Sequence, residues 1–413
     1  MSESSPEPTE AVETVAAVAD AWRKAGVAGA AIGVVAAGAA AGFVIERFTS
    51  GRGMRRKAQL ALDVAGPYGT LRGAPGMAYA DDGTELYYEI DEVEPDGGPT
   101  ARRRRLFGRR RPAPEVTVVF CHGYCLTQDS WHFQRAALRG VVRTVSWDQR
   151  SHGRSGRGVA QRDGAPVTIE QLGRDLRAVL DAAVPEGPVV LVGHSMGGMT
   201  IMALADAFPE LVKERVAGVA LIGTSAGRLG EVSFGLPVAG VKAVRRILPG
   251  LLNTLGRRAD LVERGRRATA DLVTPLIRHY SFARKDVDPA VARFAERMLS
   301  ATPVDVVAEF YPAFTDHDKA AALERFAELP VLVLAGDQDL ITPSEHSEAI
   351  AGLLPEAELV LVPEGGHLVM MEHPEAVNDR LADLLVRTGT AAGAATVGHY
   401  ERTSSRRAGG RGA

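Results

Sequence analysis

Short apolar runs recur through the middle and the C-terminal third of this chain, separated by stretches with helical spacing. Val116 to Cys121, Val141 to Trp147, Val189 to Val192, Val216 to Ile222, Val331 to Ala335 and Leu359 to Val362 are rich in β-branched and aliphatic residues. Their length and unbroken apolar character predict strands buried on both faces. Ile169 to Ala183 and Thr200 to Ala207 predict helices between them. Met77 to Tyr79 and Glu85 to Val93 flank Asp82-Gly83, the signature of a hairpin. The pattern therefore predicts an α/β fold: a mostly parallel sheet with helices on both faces and antiparallel strands at one end.

Two segments interrupt this alternation. Residues 102–111 carry seven arginines, Arg102 to Arg105 and Arg109 to Arg111, in the connection leading to the Val116 strand. Such a run reads first as a solvated loop, and more sharply as a contact for anionic lipid headgroups. The second interruption, about Gly227 to Glu324, lies between two sheet strands and contains helical patterns at Val241 to Leu255, Ala268 to His279 and Val291 to Leu299.

The N-terminal part has another character. Residues 1–24 are polar and acidic, and 25–45 form an uncharged run of 21 residues. As a helix this run would be about 31 Å long, close to a bilayer core. Fourteen of its residues are Ala or Gly and seven are bulky and apolar, so its hydrophobicity is modest. The long acidic start argues against a cleaved signal peptide. A single membrane anchor is the preferred reading over an Ala-rich soluble helix, which would leave the protein soluble in the cytoplasm. Arg47, Arg52, Arg55, Arg56 and Lys57 follow the run and only Arg23 and Lys24 precede it, which places the large C-terminal part on the cytoplasmic side. The spacings Gly29–Gly33 and Gly38–Gly42 are of the kind that lets two membrane helices dimerise, though glycine this frequent also produces them by chance. A basic linker, 46–75, leads to the main domain at 76–388, and the Gly-, Ala-, Ser- and Arg-rich tail at 389–413 reads as disordered.

Composition narrows the function classes. A chain of 413 residues with 46% apolar content supports one large α/β domain with additions. A formal net charge of −3 gives no global field for nucleic acid. Cys121 and Cys125 sit too close to staple distant segments, and no second Cys or His pair stands at zinc spacing. Two free thiols are expected, with neither metal nor organic cofactor.

Gly193-His194-Ser195-Met196-Gly197 carries the candidate chemistry. A Gly-x-Ser-x-Gly pentapeptide means little in a chain with 45 glycines, but this one follows the Val189–Val192 strand and precedes a helix beginning near Met199. A serine at that corner adopts a strained backbone, and the glycines remove side chains that would clash. The corner also aims the Met196 N–H and the helix N-terminus at the place where negative charge would develop.

With these features the sequence resembles the α/β-hydrolase family from about Gly76 to Arg387. His122-Gly123 follows a strand as in the family's oxyanion loop, and the resemblance implies the Tyr124 N–H as second oxyanion donor beside Met196. Residues 148–155, Asp148-Gln149-Arg150-Ser151-His152-Gly153-Arg154-Ser155, resemble the family's Asp-x-Arg-Gly-His-Gly-x-Ser loop, with Ser151 where glycine is usual. That loop is expected to be structural. The fold uses the chain order Ser, Asp, His. Gly336-Asp337-Gln338-Asp339 follows a strand, and the resemblance selects Asp339 as the acid, leaving Asp337 to cap or tighten the turn. His367 ends Pro363-Glu364-Gly365-Gly366-His367 after the last predicted strand. Among ten histidines it alone combines chain order, a post-strand loop and a glycine approach. His194 points away if Ser195 points in, His122 and His152 belong to loops whose backbone matters more than their rings, and His373 opens the final helix. His279 and His317 fall in the insertion, within reach of a substrate.

These residues imply a serine nucleophile, Ser195, with His367 as base and Asp339 orienting it. The insertion occupies the family's cap position and offers Phe234, Leu236, Leu251, Leu252, Phe282, Phe310, Tyr311 and Phe314, which together with the expected anchor lean the substrate toward a hydrophobic or lipid-like carboxylic ester. The same triad serves amidases, aminopeptidases and acyltransferases. Epoxide hydrolases and haloalkane dehalogenases are set aside because they use an aspartate where Ser195 stands. A non-catalytic binding protein on this fold is the rival from another class, although such proteins typically lose a triad member.

Overall fold

The computed structural model describes residues 68–93, 116–232, 275 and 277–389. The segment expected to be an anchor with its glycine spacings (25–45), the arginine run (102–111), the helix expected at 241–255 and residues beyond 389 lie outside the described residues. Among those described, no helix is long and apolar enough to cross a membrane.

Eight strands form one sheet in the order β1-β2-β4-β3-β5-β6-β7-β8. They are β1 (Ala74–Tyr79), β2 (Glu85–Asp91), β3 (Thr117–Cys121), β4 (Arg143–Trp147), β5 (Val189–His194), β6 (Val216–Ile222), β7 (Val331–Gly336) and β8 (Glu358–Val362). The expected hairpin is β1–β2, closing at Tyr79↔Glu85 around Gly83, whose φ of +79° suits a residue without a Cβ. β2 also pairs antiparallel with β4, and every junction from β4 to β8 is parallel. β3, β5 and β7 are buried at every position, as strands covered on both faces must be.

Helix α1 (Ile169–Ala183) matches its expected span and starts at Thr168, whose side chain accepts the Gln171 N–H. Helix α2 (Met196–Ala207) starts immediately after β5 and lies under the sheet centre with nearly all its residues buried. The β3–β5 neighbour pair joins strands whose connections leave in opposite directions along the sheet. Loops at the carboxyl ends of such strands open a crevice.

Two helices of the insertion between β6 and β7 are fully described, α3 (Pro289–Ala301) and α4 (Val304–Thr315). The sequence obscures α4 because Pro312 sits inside it. The insertion closes at its base, where Gly227 and Asp318 form a bridge and the Lys319 N–H donates to the Ala226 carbonyl at 2.7 Å. The two described helices join different apolar clusters. Phe294 and Met298 of α3 share an apolar cluster with Leu126, Trp131, Leu368 and Met370. Phe310 and Phe314 of α4 share another with Met196, Met199 and Leu172.

Candidate active site

β5 delivers Ser195 into a turn with φ 51° and ψ −119°, a backbone conformation that non-glycine residues rarely adopt. The turn is over-determined. Ser195 N–H donates to the Ile222 carbonyl at 2.9 Å, and its carbonyl accepts the Thr224 hydroxyl at 2.7 Å. Space is equally restrictive: a Cβ on Gly193 would come within 2.6 Å of the Gly197 backbone, and one on Gly197 would run into the Cys121 carbonyl oxygen. The strain at Ser195 is thus held by close backbone packing on both sides.

β7 and β8 deliver the other two candidates. Asp339 is buried, and its Oδ1 accepts the Ile341 and Thr342 N–H groups at 2.7 and 3.0 Å. Its Oδ2 accepts the Thr342 hydroxyl at 2.9 Å and the His367 Nδ1–H at 2.8 Å. Burial pushes the Asp339 carboxyl up, but the His367 ring and these N–H donors outweigh burial and hold it below the usual carboxylate range. An ionised Asp339 fixes the His367 tautomer with the proton on Nδ1, which leaves Nε2 as the basic nitrogen. Ser195 Oγ makes no hydrogen bond to His367 among the described residues; such bonds often tighten only when substrate is bound. Asp337, by contrast, is exposed and only its backbone N–H is engaged, with the Val362 carbonyl. Its side chain caps nothing among the described residues, which leaves the backbone bond as its part in the turn.

Two neighbours of the candidate histidine carry structural roles that the sequence does not disclose. The His194 ring donates from Nε2 to the His367 carbonyl at 2.8 Å, with burial and the His367 ring lowering its pKa to about 3. The residue before Ser195 thus holds the His367 loop. Glu372 accepts the Gly366 N–H at 2.7 Å on one oxygen and the Arg284 N–H at 2.8 Å on the other. The glycine before His367 packs against Phe282 and Ala283, leaving no room for a Cβ. The insertion therefore reaches the histidine loop directly.

The predicted oxyanion donors come from β3 and β5. Neither the Tyr124 nor the Met196 N–H is used by another protein group among the described residues. The Gly123–Tyr124 peptide is aimed by its other end, because the Gly123 carbonyl accepts both the His122 Nδ1–H at 2.7 Å and the Leu126 N–H at 3.2 Å. In a trans peptide the N–H points opposite to that pinned carbonyl. The His122 ring is held in turn by the Gln149 N–H donating to Nε2 at 2.9 Å, and burial with the nearby His152 ring lowers its pKa to about 3. His152 accepts the Cys125 N–H on Nε2 at 3.1 Å and donates from Nδ1 to the Arg150 carbonyl at 2.9 Å. Both rings, as well as the loop backbones, thus hold the loop that carries Tyr124.

Ser151 has φ 62°, the left-handed conformation that explains why glycine is usual there, and its hydroxyl donates to Glu309 of α4 at 3.0 Å. Arg150 of the same loop clamps the buried Asp175 with two bonds of 2.5 Å, a structural role as expected. His317 is buried and bonded to the Ser225 carbonyl at 2.8 Å, at the insertion's base, while His279 stacks edge-on with Tyr280. Cys121 and Cys125 are buried free thiols, each pushed up to about 12 by burial.

A serine on a strained strand-to-helix corner, with an Asp–His pair at the ends of two later strands, defines the architecture of the α/β hydrolases. The chain belongs to that family: residues 116–374 match the sequence pattern described as alpha/beta hydrolase fold. Among its relatives is the dihydrolipoyllysine-residue acetyltransferase component of the acetoin cleaving system of Pseudomonas putida, 30% identical over 79% of this chain and 84% of that protein. An sn-1-specific diacylglycerol lipase of Mus musculus is 26% identical over 65% of this chain and 80% of its own length. The enol-lactonase of Burkholderia xenovorans shares the fold with a TM-score of 0.56, at 24% identity, over 75% of this chain and all (100%) of that one. The protein is a hydrolase-type enzyme by family.

Proposed function

We propose that this enzyme hydrolyses carboxylic esters through an acyl-enzyme on Ser195. The observation that carries the reading is the 2.8 Å bond from His367 to a buried, ionised Asp339, at the same sheet edge as a serine with a strained backbone. In the proposed reaction His367 Nε2 takes the Ser195 proton as Oγ attacks the ester carbonyl. The Tyr124 and Met196 N–H groups stabilise the resulting oxyanion; loss of one such donor typically costs about 3–4 kcal/mol of barrier. His367 then passes the proton to the leaving alcohol, and water releases the acyl group by the same route in reverse.

The insertion is proposed as a cap over this site. Its aromatic residues beside the oxyanion residues favour a hydrophobic acyl group, and the diacylglycerol named in the mouse relative is of that kind. The acetyltransferase name of the Pseudomonas relative supports a second reading, acyl transfer to an acceptor other than water. A chain-length series of chromogenic acyl esters with wild type and Ser195→Ala tests the proposal. Turnover that rises with acyl length and vanishes in the variant supports it, and equal turnover in both refutes it. Turnover that needs an added alcohol or thiol acceptor favours transfer.

For location, we infer an anchor from residues 25–45 with the catalytic domain on the cytoplasmic side, and a headgroup contact from residues 102–111. Removing residues 1–50 should release the protein from the membrane fraction. Full-length protein that is soluble without detergent contradicts the anchor.

A further inference from the structure

Tyr124 joins two parts of the molecule that the sequence keeps far apart. Its backbone N–H is the proposed oxyanion donor, and its hydroxyl donates at 2.7 Å to the carbonyl of Val307 in the insertion helix α4. The hydroxyl has one proton, and that proton is used. Burial raises the Tyr124 phenol well above its ordinary range, which favours the protonated donor. The ring is gripped by α4 as well. Phe314 meets it edge-on with centroids 5.0 Å apart, and Phe310 lies at 5.8 Å. The His152 ring, 6.0 Å from the Tyr124 ring and 5.0 Å from Phe310, accepts the N–H of the next residue, Cys125.

The geometry points to Tyr124 as a positioning residue that couples the seating of α4 to the oxyanion site. This rests on the serine-hydrolase reading above. The Gly123 carbonyl pins one end of the donor peptide, through His122 and Leu126, and the Tyr124 side chain pins the other. With α4 docked, both ends are fixed and the N–H direction is set before substrate arrives. With α4 displaced, the side-chain restraint is lost and the donor peptide gains freedom, so the site would be fully competent only when the insertion is seated. Two further ties act on the same docking. Arg157 bonds Asp305 at 2.5 Å and Glu309 at 2.7 Å, and the Ser151 hydroxyl bonds Glu309. Those ties hold the helix without touching the oxyanion loop residue itself.

Tyr124→Phe removes the Val307 bond and keeps the ring. With p-nitrophenyl acetate as probe, kcat is expected to fall about five- to tenfold, the worth of one hydrogen bond, with KM within twofold. Fluorophosphonate labelling of Ser195, which also builds negative charge in that site, should slow by a similar factor. Both are measured well below the melting midpoint. A merely structural role would lower the midpoint and leave kcat and the labelling rate at wild-type values, and that result overturns the inference. Phe314→Leu provides an independent arm if Tyr124→Phe fails to fold: it loosens the ring's seat from the α4 side, and the same fall in kcat is expected. Unchanged kcat there overturns the inference too. If wild type neither labels nor turns over, the serine-hydrolase reading falls and takes this one with it. Active wild type with unaffected variants removes this one alone.

Discussion

Asp339→Asn places one amide between four donors, and the structure decides which way it turns. Oδ1 faces two backbone N–H groups, from Ile341 and Thr342, and Oδ2 faces the Thr342 hydroxyl and His367 Nδ1–H. An NH2 group in the Oδ1 position would leave two buried backbone donors unpaired and opposed, at about 1–3 kcal/mol each. In the Oδ2 position its neighbours can adapt: the Thr342 hydroxyl rotates, and the imidazole moves its proton to Nε2 at little cost. The second orientation wins by several kcal/mol. His367 Nδ1 then accepts from the amide, and the nitrogen required as base carries a proton. The expected result is a fall in kcat on the order of 10⁴, with stability changed by no more than about 1–2 kcal/mol. Steady-state ester hydrolysis with urea unfolding reads both quantities, and nitrogen NMR of the imidazole reads the tautomer. An Asp339→Asn protein with kcat within tenfold of wild type, or with its proton still on Nδ1, refutes the reasoning.

Two other outcomes follow from groups around the site. His152 is buried neutral with its pKa lowered from 6.5 to about 4, so the unfolded chain takes up a proton that the folded chain refuses between those values. The associated stability is present above pH 6.5 and is lost as pH falls toward 4. Relative to His152→Gln, wild type should lose about 1.4 kcal/mol per pH unit across that window, roughly 3 kcal/mol in all. Parallel stability curves for the two proteins would sink this. Glu372→Ala removes the acceptor shared by Gly366 and Arg284. Loosening of the His367 loop should lower kcat about tenfold and stability by about 1–3 kcal/mol; unchanged kcat and melting would show that the loop is held without it.

The sheet was legible because its strands are continuous apolar runs, a pattern that burial on both faces requires. Ser195, Asp339 and His367 stood out as candidates for another reason. Each follows a strand, in the order this fold imposes, and glycines stand where the backbone must approach closely. Long-range hydrogen bonding was not legible. Nothing in the sequence states that His122 aims the Gly123–Tyr124 peptide, or that Glu372 ties Gly366 to Arg284, because those partners meet only after folding. The bonds that the His122 and His152 rings make were hidden for the same reason. Helix α4 was hidden by Pro312, which interrupts helical spacing in the sequence but is accommodated in the helix, four residues before its carboxyl-terminal cap at Asp316.

The central claim is a covalent acyl-enzyme on Ser195, and mass spectrometry of trapped protein tests it most directly. Wild type mixed with a slow-turnover activated ester and quenched in acid should gain the mass of one acyl group, mapped to the peptide containing Ser195. Ser195→Ala should gain none. An acyl group found on another residue, or on Ser195→Ala to the same extent, would contradict the account.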